Sequence, residues 1–112
     1  MMNTCKPTIR SINDAMYIIG GKWKISIIAA LSYGTKRYSE ILRDVEGISG
    51  KMLSRELKEM EMNKLIVREV ISSRPIKVQY RLTKYGESLN PVILALAEWT
   101  AQHRKVLFEK KA

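Results

Sequence analysis

Apolar residues recur along most of this chain at helical spacing, and near its middle the period changes to two. Ile12, Ala15, Met16 and Ile19 fall on one stripe, which predicts a first helix from Ser11 to Ile19. Ser11 is its expected cap, and Gly20-Gly21 its end. A second helix is predicted over Lys22–Tyr33, with Trp23, Ile27, Ala30 and Leu31 on one face and Ile28 beside them. Gly34 follows where a left-handed cap residue is wanted. Lys36-Arg37-Tyr38 reads as a connector with room for one β-bridge. Ser39 is then the expected cap of a short third helix reaching Val45, with Ile41, Leu42 and Val45 inward. The turn Gly47-Ile48-Ser49-Gly50 leads to a fourth helix, capped by Ser49 and running from Gly50 to Met62.

Two alternating runs follow, Leu65–Ile71 and Lys77–Leu82. In the second, Val78, Tyr80 and Leu82 alternate with Lys77, Gln79 and Arg81, the period of a half-buried strand. The turn-rich segment 72–76 joins them into a hairpin with a basic tip. Thr83 caps a short helical turn, and Asn90-Pro91 reads as a cap plus proline at the start of a last helix ending near Phe108. That helix carries Val92, Ile93, Leu96, Trp99, Val106 and Leu107, more apolar circumference than one small domain can bury. Two short helices joined by a tight turn and followed by a hairpin make a winged helix-turn-helix. The fold class is therefore mainly α with a β-hairpin wing (α+β). Residues 1–10, polar and without periodicity, are expected to form a flexible arm, and 11–112 one domain.

Charge sharpens this picture. The 112 residues include 20 Lys+Arg against 11 Asp+Glu, net +9, which favours a polyanionic partner, either nucleic acid or an anionic membrane face. The longest chargeless run, Ile25–Thr35, is far short of a membrane span. A lone cysteine, Cys5, allows no disulfide within one chain and fits a reducing, cytoplasmic setting.

The fourth helix shows where the positive charge acts. Taking about 100° per residue, Arg55 and Lys58 lie within roughly 40° of Lys51, with Ser54 near 300°, whereas Leu53, Leu57 and Met60 lie near 180–240°. A recognition helix needs this division, one face on the core and the other in the major groove. Arg55 suits bidentate contact with guanine, Ser49 and Ser54 suit base edges or phosphates, and Lys51 and Lys58 suit phosphates. An ordinary solvated helix face carries similar residues, so the preceding helix, the turn and the basic hairpin tip at Arg74 and Lys77 supply the context.

Other chemistry finds little support. His103 is the only histidine, so one chain assembles no zinc constellation, and no metal or cofactor is expected. Gly20-Gly21-Lys22 lacks the remaining P-loop spacing and reads as a close approach of two helices. No Ser/His/Asp or Cys/His arrangement has supporting context, which argues against an enzyme. Trp23, Trp99, Tyr17, Tyr33 and Tyr80 read as core or dimer-interface packing. An RNA-binding winged helix would need exposed aromatic platforms on its sheet. A protein-interaction module that has lost DNA binding would present a neutral or acidic fourth helix, against which Lys51, Arg55 and Lys58 stand.

The segments "IIGGKWK" (18–24), "KRYSEI" (36–41), "GISGKMLSRELKEME" (47–61), "PIKVQYRLTKYGESLNPV" (75–92) and "EW" (98–99) together resemble the HxlR-type transcriptional regulators of bacteria. The resemblance implies a homodimer, held mostly by first and last helices, that binds an inverted-repeat operator, commonly as a repressor. Carried onto this chain, the DNA-contacting set is Lys36, Arg37 and Ser39, then Ser49, Gly50, Lys51, Met52, Ser54, Arg55 and Lys58, with the wing at Arg74 to Lys77. The dimer contacts fall on Ile12, Met16, Ile19, Val92, Leu96, Trp99, His103 and Val106. Two departures stand out. Lys64 occupies a place where the family usually has glycine, so either Asn63 turns left-handed or Lys64 does. Many members also carry Cys-Pro shortly before "GGKW", and some sense electrophiles or oxidants through that cysteine. Here Cys5 lies further upstream, with Lys6 intervening before Pro7, so the family's spacing for that role is not kept. Cys5 is a candidate redox sensor instead because it is the lone thiol and has a cation beside it.

Overall fold

The computed structural model describes residues 8–109. In chain order the elements are α1 (Ile9–Ile19), α2 (Lys24–Leu31), β1 (Lys36–Arg37), α3 (Tyr38–Asp44), α4 (Gly50–Met62), β2 (Ile66–Ser73), β3 (Ile76–Leu82), α5 (Lys84–Glu87) and α6 (Asn90–Phe108). The strands form one antiparallel sheet in the order β1-β3-β2, with Lys36 opposite Tyr80 and Ile66 opposite Leu82. This is the winged helix-turn-helix that the hydrophobic pattern predicts, with α3-turn-α4 as the motif and the β2-β3 hairpin as the wing.

The core is a single cluster. Ile27, Ile28 and Leu31 of α2 meet Ile41 of α3 and Leu53, Leu57 and Met60 of α4. Leu65, Ile66, Tyr80 and Leu82 close it from the wing's base. The period-two run thus buries Tyr80 and Leu82 while Lys77 and Arg81 stay out. Each Leu or Ile fully buried here contributes about 1.5–3 kcal/mol relative to exposure.

Local chemistry moves several boundaries. Thr8, not Ser11, caps α1, its hydroxyl oxygen accepting from the Ser11 N–H at 3.0 Å. Ile9 and Arg10 are therefore helical and not part of an arm. At its other end α1 stops against Gly20, whose N–H donates to the Met16 carbonyl at 2.8 Å. A Cβ on residue 20 would stand 2.1 Å from that oxygen, so this glycine ends a helix and does not admit a second one. Ser39 is inside α3, which begins at Tyr38; Glu40 accepts from the Arg37 N–H at 2.8 Å to satisfy its first turn. Asn90 is the first residue of α6 and makes no capping bond, Leu89 taking the cap position. The strands pair further than their alternation shows, through Ser73 opposite Ile76, so the wing's tip is Arg74-Pro75, joined by a cis peptide bond. A register shift between Val70 and Ser72 breaks the period there. Two expectations hold closely: α4 spans Gly50–Met62 with Ser49 accepting from the Met52 N–H at 3.1 Å, and Thr83 caps α5 by accepting from the Gly86 N–H at 2.8 Å.

Lys64 resolves the question at the end of α4. Asn63 keeps a negative φ of -86°, and Lys64 takes φ 63°. Its N–H donates to the Glu61 carbonyl and the Leu65 N–H to the Met60 carbonyl, the double bond pattern of a Schellman cap. The side chains of Met60 and Leu65 are both buried beside it. The left-handed state costs an L-residue about 1–2 kcal/mol, partly offset for glycine by its larger unfolded entropy. Lys64→Gly should therefore raise unfolding free energy by about 0.5–1 kcal/mol in urea titration. An unchanged or lowered midpoint would show that Lys64 pays no such strain.

Candidate nucleic-acid interface

α4 presents two faces. Leu53, Leu57 and Met60 are buried, while Lys51, Ser54, Arg55 and Lys58 are exposed on the opposite side. No acidic residue occupies its first turn, so the positive end of the helix dipole is uncompensated. Ser49 is exposed at that end. Gly50 is half-buried under the Tyr38 hydroxyl, and Met52 packs on the core, so neither offers a side chain outward as Lys51, Ser54, Arg55 and Lys58 do.

Two of the three carboxylates of α4 are engaged by a residue that sequence reasoning passed over. Lys24, 9% exposed, reaches across from α2 and places its Nζ 2.6 Å from Glu56 and 2.8 Å from Glu59. Burial acts to lower the Lys24 pKa, but its hydrogen bonds to Glu56 and Glu59 together outweigh it and hold the ammonium above its ordinary value. The same bond from Lys24 holds the Glu59 carboxyl below its ordinary value. The bridge fixes α4 on α2 and neutralises negative charge that would otherwise oppose a polyanion. Its only signal in the sequence is a lysine one turn before the buried Ile27 and Ile28, which looks like any solvated helix start.

The other cationic positions differ in availability. Arg37 and Ser39 are exposed at the start of α3. Lys36 is not a free cation: its Nζ lies 2.8 Å from Asp44, whose pKa that hydrogen bond lowers. At the wing, Arg74 and Lys77 are exposed on either side of the tip, and Arg68 adds an exposed cation on β2. Arg81 instead donates to Glu69 at 2.9 Å and lowers its pKa.

α1 and α6 have no buried residue among those described. Ile12, Met16, Val92, Leu96, Trp99 and Val106 are all exposed, with Trp99 at 64%. Trp99 stacks on His103, ring centroids 4.9 Å apart and planes 9° from parallel. Ile19 departs from that set and packs on the monomer's own core, as does Ile93. Tyr17 and Tyr33 are 92% and 88% exposed, so neither is a core residue, whereas Tyr80 is. Trp23 is half-buried against the core with the Lys22 ammonium 4.8 Å from its ring. The described residues extend over 63 × 40 × 22 Å with a radius of gyration of 17.0 Å, against about 13 Å for a compact domain of this length. No group of three or more metal-ligating side chains occurs among the described residues, nor a helix long and apolar enough to cross a membrane. Cys5 lies outside the described residues.

Residues 18–107 match the family of HxlR-like helix-turn-helix proteins. The chain belongs to that family. Its relatives include the HTH-type transcriptional regulator YtcD of Bacillus subtilis, 41% identical over 93 residues, 83% of this chain and 74% of that protein. YodB of the same organism, also an HTH-type transcriptional regulator, is 38% identical over 102 residues, 91% of this chain and 88% of YodB. Among solved structures, the redox regulator HypR in its reduced form superposes with a TM-score of 0.80 at 35% identity, covering 88% of this chain and 98% of that one. This chain is accordingly a helix-turn-helix transcriptional regulator and not an enzyme, and DNA is the partner its family implies.

The Lys24 bridge makes two measurable demands. Lys24→Ala leaves Glu56, with only 13% of its side chain exposed, without its cation and should cost about 3 kcal/mol of stability in a urea melt. A loss under about 0.5 kcal/mol would reduce the bridge to a surface pair. Glu59 is depressed, so its contribution is present above the ordinary carboxyl value of 4.5 and is lost as pH falls through the folded value. Lys24 is raised, so its contribution is present below 10.5 and is lost as pH climbs through the folded value. The stability difference between wild type and Lys24→Ala should therefore be flat between those limits and shrink beyond each.

Proposed function

We propose that this regulator is a homodimer that binds a pseudo-palindromic operator and represses where that operator overlaps a promoter. The observation that carries the proposal is the division of α4, with Lys51, Ser54, Arg55 and Lys58 exposed opposite the buried Leu53, Leu57 and Met60. Each protomer inserts α4 into a major groove, and the two copies enter successive grooves about 34 Å apart. Arg55 pairs with guanine O6 and N7, Ser49, Lys51 and Lys58 hold phosphates, and the dipole of α4 adds to them. Arg37 and Ser39 flank that site, and Arg74 and Lys77 carry the wing onto the neighbouring backbone or into a minor groove. The unburied apolar stripes of α1 and α6, with Ile12, Met16, Leu96 and Trp99, support dimerisation through those helices.

Selection from a random double-stranded DNA pool at about 150 mM salt tests this, because that salt suppresses non-specific attraction. It should return an inverted repeat, and Arg55→Ala should bind that repeat about 1–3 kcal/mol more weakly and relax one base position per half-site. Weak, salt-sensitive binding to every sequence would instead favour a protein-interaction module that has lost DNA reading.

The similarity to the redox regulator HypR supports a redox response, for which Cys5, the only thiol in the chain, is the candidate residue. A single thiol responds through an intersubunit disulfide or a mixed adduct. Operator affinity should then fall after diamide or quinone treatment of wild type and stay unchanged in Cys5→Ser. An equal response in both would remove Cys5 from the mechanism.

A further inference from the structure

Two serines sit on the reading side of α4, and their hydroxyl groups are committed in opposite ways. Ser49 Oγ accepts from the Met52 N–H at 3.1 Å, so a lone pair is engaged and its hydrogen is left to donate. Ser54 meets a different neighbour. The half-buried Tyr38, at the start of α3, brings its hydroxyl 2.7 Å from the Gly50 carbonyl and 3.1 Å from Ser54 Oγ. A carbonyl only accepts, so the single phenolic hydrogen of Tyr38 goes to Gly50. The contact with Ser54 then requires that Ser54 donate its own hydrogen to the Tyr38 oxygen. What Ser54 Oγ turns toward the groove is lone pairs alone. Residue 50 leaves room for this arrangement, since a Cβ there would stand 3.2 Å from the Tyr38 hydroxyl oxygen.

We infer that Tyr38 is a specificity-determining residue that acts by polarising Ser54 into an obligate acceptor, so that Ser54 reads an exocyclic amino group. In the major groove the amino donors are adenine N6 and cytosine N4; guanine and thymine offer acceptors at the corresponding edge. A phosphate has only acceptor oxygens and is excluded as well. Ser54 therefore selects adenine or cytosine on the contacted strand and rejects guanine or thymine there. The inference rests on the DNA-reading role proposed above and gives that role a base preference at one position. Tyr38 is a positioning residue in this scheme; it makes no base contact itself.

Site selection with wild type, Ser54→Ala and Tyr38→Phe tests it, with thermal melts confirming that Tyr38→Phe, which keeps the ring, remains folded. The base position at which Ser54→Ala loses its preference marks the contact. There wild type should favour adenine or cytosine by about tenfold, the worth of one well-placed hydrogen bond and the rejection of its mismatch. In Tyr38→Phe the Ser54 hydrogen is released to rotate outward, and the preference at that one position should fall below about threefold as guanine and thymine become acceptable. A wild-type preference for guanine or thymine at the marked position overturns the inference. So does an unchanged preference in Tyr38→Phe, a uniform loss of affinity for all sites in that variant, or a Ser54→Ala selection identical to wild type. If wild type enriches no sequence, the DNA-reading role itself has failed, and the base preference falls with it.

Discussion

Leu53, Leu57 and Met60 press one side of α4 onto Ile27, Ile28 and Ile41, and Lys24 pins the helix from its flank through Glu56 and Glu59. With that side fixed, the orientation of Lys51, Arg55 and Lys58 is fixed too, because helical geometry couples the two faces. A reading head of this kind gains from rigidity: a base contact discriminates only when its donor or acceptor is already in place. Burying Lys24 against Glu56 does this at some cost in desolvation, which the short bonds to Glu56 and the more exposed Glu59 offset. It also pairs two of the helix's negative charges with a cation, Glu56 nearly buried and Glu59 on the flank beside Arg55. Packing, orientation and electrostatics of the reading face thus share one set of contacts.

The rest of the molecule is organised around that helix. Tyr38 touches its first turn, Lys64 closes its last, and the Leu65 carbonyl accepts from the Thr83 N–H so that α5 stays against the wing's base. The wing extends from this base with Arg74 at its tip and Lys77 just beyond it on β3. α1 and α6 contribute little to the core and leave large apolar side chains exposed, an arrangement that a second protomer would bury. The family membership makes the helix-turn-helix a regulator, and the charge division on α4 is what the proposed reading face rests on.

The parts of this design that depend on one residue's type and its spacing were legible in the sequence. The limits of α4, its Ser49 cap, its buried stripe and the alternation ending in Tyr80 and Leu82 all follow from periodicity and capping chemistry. The parts that depend on a partner distant in sequence were not. Lys24 looks solvated until α4 supplies two carboxylates 32 or more residues later. Tyr38 looks like a connector residue until its hydroxyl meets Gly50. Competing caps also misled: Thr8 and Glu40 were available beside Ser11 and Ser39, and only the backbone path decides among them. Lys36 carried the right charge for DNA, but Asp44 on α3 had already engaged it.

The most direct measurement is a dimethyl sulfate protection footprint on a selected site, since that reagent reports guanine N7 in the major groove. Two copies of α4 in successive major grooves would protect guanines in two patches on one face of the duplex, about one helical turn apart. Protection confined to a single patch, or sequence binding with every guanine N7 left reactive, would contradict a paired α4 as the reading head.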